Sequence, residues 1–487
     1  MTFTHRIFTA GLSTLSCLVL TTAGTAVAGA TPATTAADTV NDSGHTGSTA
    51  TAPGVPPALV AADPTIAHPA DDPFYTPPAF IPATPGSLIR DQFAPHLLAG
   101  FAAVDRKDAP STPARADRIL YTTTAQNGSP VATSGFVMEP ARPWTGEGPT
   151  PTIVFAPGTR GAGDYCAPSR AGNLLASADP ISGNINLNYE YPFYAMASAA
   201  GYRVIVTDYI GLGTPGQHTY VNHTEEAHTV LDAARAGLSF AGAPADSPVA
   251  LFGYSQGGGA TAGAAELAAS YAPGLNLKGV FAGAPPANLE DVTDTVENSM
   301  GGTVLGFALN GAIARNPELT PLIDRYFNDE GKAFLAEAAG QCTFTMDTSA
   351  PDLSGIDPTD PMASMMFNSR ELTRDGRSFG DIIHQDAQLR GVLMGPDYLL
   401  GDRPVDVPVL ILGGTNDDTI PYGQTRQLAE DYCASGATVT FLTDDTPVVL
   451  PGTGLGHAIP QANHTQQALD WLGDRFNGVA ATSDCRG

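Results

Sequence analysis

Positive charge is scarce in this 487-residue chain: 23 Lys and Arg stand against 49 Asp and Glu, a formal net charge of −26. The acidic residues are spread rather than run together, so nucleic acid and anionic membrane surfaces are poor partners and a neutral or apolar ligand fits better. No internal repeat is present, which sets aside repeat architectures. No Cys or carboxylate spacing accompanies the histidines His218, His223 and His228, so neither a metal nor a cofactor is expected. A spanning helix needs roughly 20 strongly apolar residues. The one long apolar stretch, Ile7 to Val27, is diluted by Thr, Ser and Gly, and no stable membrane anchor is expected.

What is there begins with an export signal. His5 and Arg6 precede that apolar stretch, and Ala26-Val27-Ala28 or Ala28-Gly29-Ala30 offers a small-residue cleavage site, so residues 1–30 read as a signal peptide and the protein as secreted and extracellular. Cys17 falls inside this segment without a leucine three residues before it, which argues against a lipid anchor. Four cysteines remain, Cys166, Cys342, Cys433 and Cys485. An even number in an oxidising compartment implies disulfides, with three pairings open. Residues 31–71 are rich in Ala, Thr, Pro and Ser without a hydrophobic period, so a disordered leader is expected before a catalytic domain over 72–487.

Within that domain "RILYTTTA" and "VATSGFVM" read as a hairpin. "TIVFAPG", "YRVIVTDY", "PVALFGY", "LKGVFAGA", "VPVLILGG" and "ATVTFLT" read as short buried strands, and "EEAHTVLDAARAGLSF" and "HTQQALDWLGDRF" as amphipathic helices. Continuous apolar strands separated by helices predict an α/β fold with a mainly parallel sheet flanked by helices. Residues 286–405 carry helical patches and prolines but no convincing strand, and read as an inserted helical cap.

Two segments match G-x-S-x-G, so the motif alone decides nothing. A nucleophile elbow needs a buried strand before the serine, a helix after it, and small residues on either side. "PVALFGYSQGGGATAGAAELAASYA" supplies all of these around Ser255, whereas "LTRDGRSFGDIIHQ" follows polar sequence, so Ser378 is expected to be an exposed loop serine. An elbow serine requires a histidine base and a carboxylate that orients it, downstream in the order Ser, acid, His. "VPVLILGGTNDDTIP" places Asp417 and Asp418 on the exit loop of a buried strand, and composition leaves the choice between them open. His457 sits in the glycine-flanked loop "PGTGLGHAIP", while His464 opens the final helix in a capping or surface role. The oxyanion hole is expected from the backbone N–H of Gln256 and of Thr159, in the loop after "TIVFAPG".

Together "DPFYTPP", "CAPS", "DYIGLGTPG", "GYSQGG" and "DDTIP", in this order from Asp72 to the C-terminus, resemble the secretory lipase family of actinobacterial secreted lipases and the yeast lipase A type. The resemblance implies an α/β-hydrolase with a helical cap inserted before the acid-bearing strand, acting on carboxyl esters of lipids. It selects Asp417, four residues before Pro421, and it implies disulfides Cys166–Cys342 and Cys433–Cys485. The long leader before Asp72 departs from the family pattern.

The resulting expectation is acyl transfer to water by Ser255, His457 and Asp417, by a monomer that meets its lipid ester at a lipid–water interface. Val304, Phe307, Leu309 and Ile313 of "MGGTVLGFALNGAIA" are candidates to line an acyl tunnel, with Phe307 and Leu309 foremost; plain cap packing is the competing reading. An esterase, polyester hydrolase, acyltransferase or peptidase would use the same triad. A catalytically silent binding protein would not need all three residues intact.

Overall fold

The computed structural model describes residues 72–97, 115–297, 299–345 and 366–485, with the backbone of Leu59–Ala61. The expected signal segment lies outside the described residues, as does the expected leader apart from Leu59–Ala61, which pairs antiparallel with Phe80–Pro82.

Among the described residues the main sheet has nine strands. They are β1 (Leu88–Phe93), β2 (Ala116–Thr124), β3 (Pro130–Met138), β4 (Thr152–Ala156), β5 (Arg203–Thr207), β6 (Pro248–Tyr254), β7 (Asn276–Gly283), β8 (Val409–Gly414) and β9 (Val439–Asp444). Their order across the sheet is β9-β8-β7-β6-β4-β5-β3-β2-β1. β4 to β9 run parallel, and β1 to β3 form the antiparallel edge. The expected hairpin is β2–β3 and the six expected buried strands are β4 to β9; edge strand β1 was not expected.

Burial is nearly continuous along the central strands β4, β5, β6 and β8, because both faces of the sheet are covered by helices there. Alternate side chains go to opposite faces. Val154, Leu251 and Ile411 pack with helices α2 (His223–Phe240), α3 (Gln256–Tyr271) and α10 (Tyr422–Ala434). Ile153, Phe252 and Leu412 pack with α1 (Tyr191–Ala199) and α11 (Leu455–Phe476).

Between β7 and β8 lie α4 (Leu289–Val296), α5 (Thr303–Arg315), α6 (Thr320–Tyr326), α7 (Asp329–Ala338), α8 (Phe379–Gln385) and α9 (Ala387–Leu393). Among the described residues one short strand, Phe344–Thr345, interrupts them where none was expected; it pairs with Asn184–Leu187, which also pairs with Ala176–Ala178. The strand order turns around β4, which separates β5 from β6, and Gly253 pairs with Ala156 there. At such a switch point the loops leaving adjacent strands part and open a crevice. Those loops carry Thr159 and Ser255.

Candidate active site

Ser255 leaves β6 and enters α3 with φ 59° and ψ −124°, a conformation disfavoured for an L-residue. Its N–H donates to Gly283 O at 2.9 Å, tying the turn to the neighbouring strand. The flanking glycines permit this sharp turn. A Cβ at Gly253 would lie 2.0 Å from Gly257 O, and one at Gly257 would lie 1.9 Å from Ala156 O.

His457 donates its Nδ1–H to Asp417 Oδ2 at 2.8 Å, which leaves Nε2 as the acceptor. The Asp417 side chain is fully buried, and its other oxygen accepts from Thr419 N and Ile420 N at 2.9 and 2.8 Å. Asp418 holds backbone instead: its carboxylate accepts from Gly454 N at 3.0 Å and His457 N at 3.1 Å. It therefore caps the start of α11, whose N-terminal neighbour Gly454, at φ 80°, offers no side chain for the task. Burial pushes the His457 pKa down, but the charge and hydrogen bond of Asp417, with Asp418 behind it, outweigh burial and hold it above the ordinary value. Tyr254 OH donates to His457 O at 2.7 Å, fixing the histidine backbone over β6.

These positions correct three expectations. His457 lies in the first turn of α11, not in a loop before it, and His464 sits mid-helix, bonded to Asp444 and Gln467 at 3.0 Å each. Ser378 is buried, not an exposed loop serine: it caps α8 in a reciprocal box with Asp381.

Gln256 is the first residue of α3, so its N–H has no acceptor within the helix. Its side chain points away from chemistry, donating to Glu226 Oε1 at 2.8 Å and to His218 Nε2 at 2.9 Å. His218 donates its own Nδ1–H to Ile210 O, and burial pushes its pKa down to about 4, so it is a neutral part of the floor. His223 bonds Pro286 O and His228 bonds Thr124 O. Among the described residues no cluster of His, Cys, Asp or Glu is arranged to hold a metal.

Thr159 Oγ1 and Tyr220 OH are 2.7 Å apart on the other side of the site. The loop is tethered by a residue that sequence reasoning missed. Glu190, buried, accepts from Gly158 N at 3.1 Å and from Arg160 at 2.7 Å through one oxygen, and from Gln461 of α11 at 2.9 Å through the other. The Cys166–Cys342 disulfide braces the same loop, with Thr343 N donating to Arg160 O at 2.9 Å. The second disulfide joins Cys433 of α10 to Cys485.

Ser255, Gln256, Thr159 and His457 line a cavity of about 340 Å³ together with residues of α4, α5, α6, α8 and α9. Its inner wall is apolar, with Val304, Leu305, Ala308 and Leu309 contributed by α5. Leu309 is among the lining residues. Phe307 is not: it is buried on the other side of α5, edge-on to the Tyr220 ring at 5.8 Å.

A strand-to-helix elbow, a buried carboxylate–histidine pair and a loop beside the elbow on this sheet define the α/β-hydrolase class. The secretory lipase family model matches residues 179–484. The chain belongs to the secretory lipase family and is a carboxylic ester hydrolase of lipids. It is 26% identical over 430 residues to lipase A of Arthroderma benhamiae, covering 86% of this chain and 82% of that protein. It is 28% identical over 424 residues to a Mycobacterium tuberculosis protein named "probable inactive lipase", covering 85% and 84%. The closed-state X-ray structure of Candida antarctica lipase A superposes with a TM-score of 0.64 at 23% identity, over 85% of this chain and 88% of that one, a likeness of fold.

Proposed function

We propose that this chain is a secreted triacylglycerol lipase or esterase whose nucleophile is Ser255. Membership alone does not assign the catalytic residues, and one relative bears the name of an inactive lipase. The observation that carries it is the Asp417–His457 bond of 2.8 Å, with His457 lining the same cavity as Ser255.

In the proposed reaction Ser255 Oγ bonds to the ester carbonyl carbon while its proton passes to His457 Nε2. That nitrogen is buried and makes no other hydrogen bond, so it is open to receive the proton. The N–H groups of Gln256 and Thr159 hold the oxyanion. Collapse breaks the bond to the alcohol oxygen, which takes the proton from His457; water then repeats the sequence and releases the acid. No step needs a metal or cofactor.

The domain reading belongs to the same proposal. Residues 1–30 are removed on export, 31–71 form a leader, and the helical segment 286–405 caps the catalytic domain, with the acyl chain between its helices. The secretory family and two disulfides support an extracellular enzyme, and we read it as a monomer. Fluorophosphonate labelling of the purified chain tests the reading: label on Ser255, lost in Ser255→Ala, is expected, and an unlabelled native chain refutes it. Hydrolysis of emulsified triglyceride against dissolved short esters then separates lipase from esterase.

A further inference from the structure

In the first turn of α2, Glu226 is 1% exposed and takes no part in the proposed reaction. Its Oε1 accepts from two groups of the cavity wall, Gln256 Nε2 at 2.8 Å and Val221 N at 2.9 Å. The other partner of the Gln256 amide fixes which way that amide faces. His218 donates Nδ1–H to Ile210 O, so its Nε2 accepts, and the amide nitrogen 2.9 Å away is the donor to both His218 and Glu226. Through these two bonds Glu226 reaches both sides of the expected oxyanion hole. Gln256 carries one of the donors. Val221 acts on the other at one remove: it is a β-branched residue at φ 54°, a conformation that persists only where the surroundings impose it. Its neighbour Tyr220 sets its hydroxyl 2.7 Å from Thr159 Oγ1. Gln256, Tyr220, Val221 and Thr159 all line the cavity with Ser255.

A bare carboxylate here would oppose the negative charge that develops on the ester oxygen. The second oxygen of Glu226 shows how this is avoided. Oε2 faces His223 Nδ1 at 3.6 Å, and among the described residues neither buried atom has a hydrogen-bond partner. His223 donates Nε2–H to Pro286 O, so in the neutral ring Nδ1 is an acceptor facing an acceptor. One proton between them satisfies both and leaves the pair neutral whichever atom holds it. Burial pushes the Glu226 pKa up, in keeping with such a proton.

We propose that Glu226 is a positioning residue for acyl transfer, a neutral acceptor that shares a proton with His223 and locks the Gln256 and Thr159 sides of the oxyanion hole together. The proposal rests on the ester-hydrolase reading, which hydrolysis of dissolved p-nitrophenyl butyrate by the unaltered chain judges separately. Glu226→Gln keeps the acceptor oxygen and puts an N–H where the shared proton lies, so it should turn over near the parent rate. Glu226→Ala removes the acceptor, and Glu226→Asp withdraws it by one methylene. Each, measured below its melting range, should lose on the order of 10²-fold in kcat with KM near that of the parent. Inhibition by an alkyl trifluoromethyl ketone, whose adduct on Ser255 bears the oxyanion, should weaken by a like factor, since the lost hold acts on the transition state. Glu226→Asp carries the comparison if Glu226→Ala does not fold. A folded Asp or Ala variant that keeps the parent kcat overturns the proposal, as does a loss confined to KM with ketone inhibition unchanged. Failure of both to fold also overturns it, assigning Glu226 to stability alone. So does a Glu226→Gln variant as slow as Glu226→Ala, which would show that the site needs the charge and not a neutral acceptor.

Discussion

Asp417 and Asp418 hold one histidine by different atoms: Asp417 Oδ2 accepts from the ring at 2.8 Å, whereas Asp418 Oδ1 accepts from the backbone N–H at 3.1 Å. The two neighbours therefore divide orientation of the imidazole from anchoring of the helix that carries it.

Substituting each should separate these tasks. Asp417→Asn is expected to cost on the order of 10⁴-fold in kcat through loss of the tautomer and of imidazolium stabilisation. Asp418→Ala should lower stability by about 1 kcal/mol, as for a lost helix cap, with a much smaller effect on kcat. Steady-state kinetics and thermal melts on both variants check this; a larger kcat loss at Asp418 contradicts the division.

The pH profile follows from the raised pKa of His457. The base is the neutral imidazole, so protonation removes activity, and a raised pKa moves the acid limb to higher pH. kcat/KM on a dissolved ester should therefore rise with pH through a midpoint above the ordinary histidine value of about 6.5. Removing the Asp417 charge should move that midpoint down in whatever activity remains. A wild-type midpoint below the ordinary value would show that burial outweighs the carboxylate.

The two G-x-S-x-G serines differ in structure and should differ on substitution. Ser255→Ala should abolish nearly all hydrolysis without unfolding the protein. Ser378→Ala should keep kcat and lose about 1 kcal/mol of stability, since it removes a capping box. Normal turnover by the first variant would exclude Ser255 as the nucleophile.

The central strands were legible because helices cover both faces of the sheet and force continuous apolar runs. Ser255 was legible because an elbow imposes a strand, small neighbours and a helix in one short stretch. The start of α11 was not. Glycines and Pro460 around His457 read as a loop, while the group that caps this helix, Asp418, comes from a distant loop. Glu190 and Arg160 escaped notice for the same reason, since a buried pair joined through the fold leaves no local pattern. Helical period placed apolar residues on α5, but which of them faces a cavity and which faces core depends on the partner, and this separated Leu309 from Phe307.

Glu190 links the Thr159 loop to the helix of His457 through one buried carboxylate. Glu190→Gln replaces one acceptor oxygen with a donor, so either Gly158 N and Arg160 or Gln461 loses its partner. Stability should fall by roughly 3–5 kcal/mol, as for a broken buried pair. Below the melting range, kcat should fall by on the order of 10²-fold through misplacement of oxyanion donor and base, with KM near that of the parent. If the folded variant keeps its kcat, the carboxylate only supports the fold.

The last prediction uses the division along α5. Leu309 lines the cavity, whereas Phe307 is buried against Tyr220 and is not part of the lining, so their substitutions should act on different measurements. Each buried CH₂ of an acyl chain is worth about 0.8 kcal/mol, and several together multiply kcat/KM by orders of magnitude while the wall stays apolar. Leu309→Asn should therefore depress hydrolysis of octanoate and longer esters much more than that of acetate and butyrate esters. Phe307→Ala should instead lower stability by roughly 3–5 kcal/mol, as for a deleted core aromatic, and lower both rates only in proportion to folded protein. The long-to-short ratio within each variant cancels differences in folded fraction. A ratio that moves with Phe307 and stays fixed with Leu309 would mean that acyl chains do not occupy this cavity.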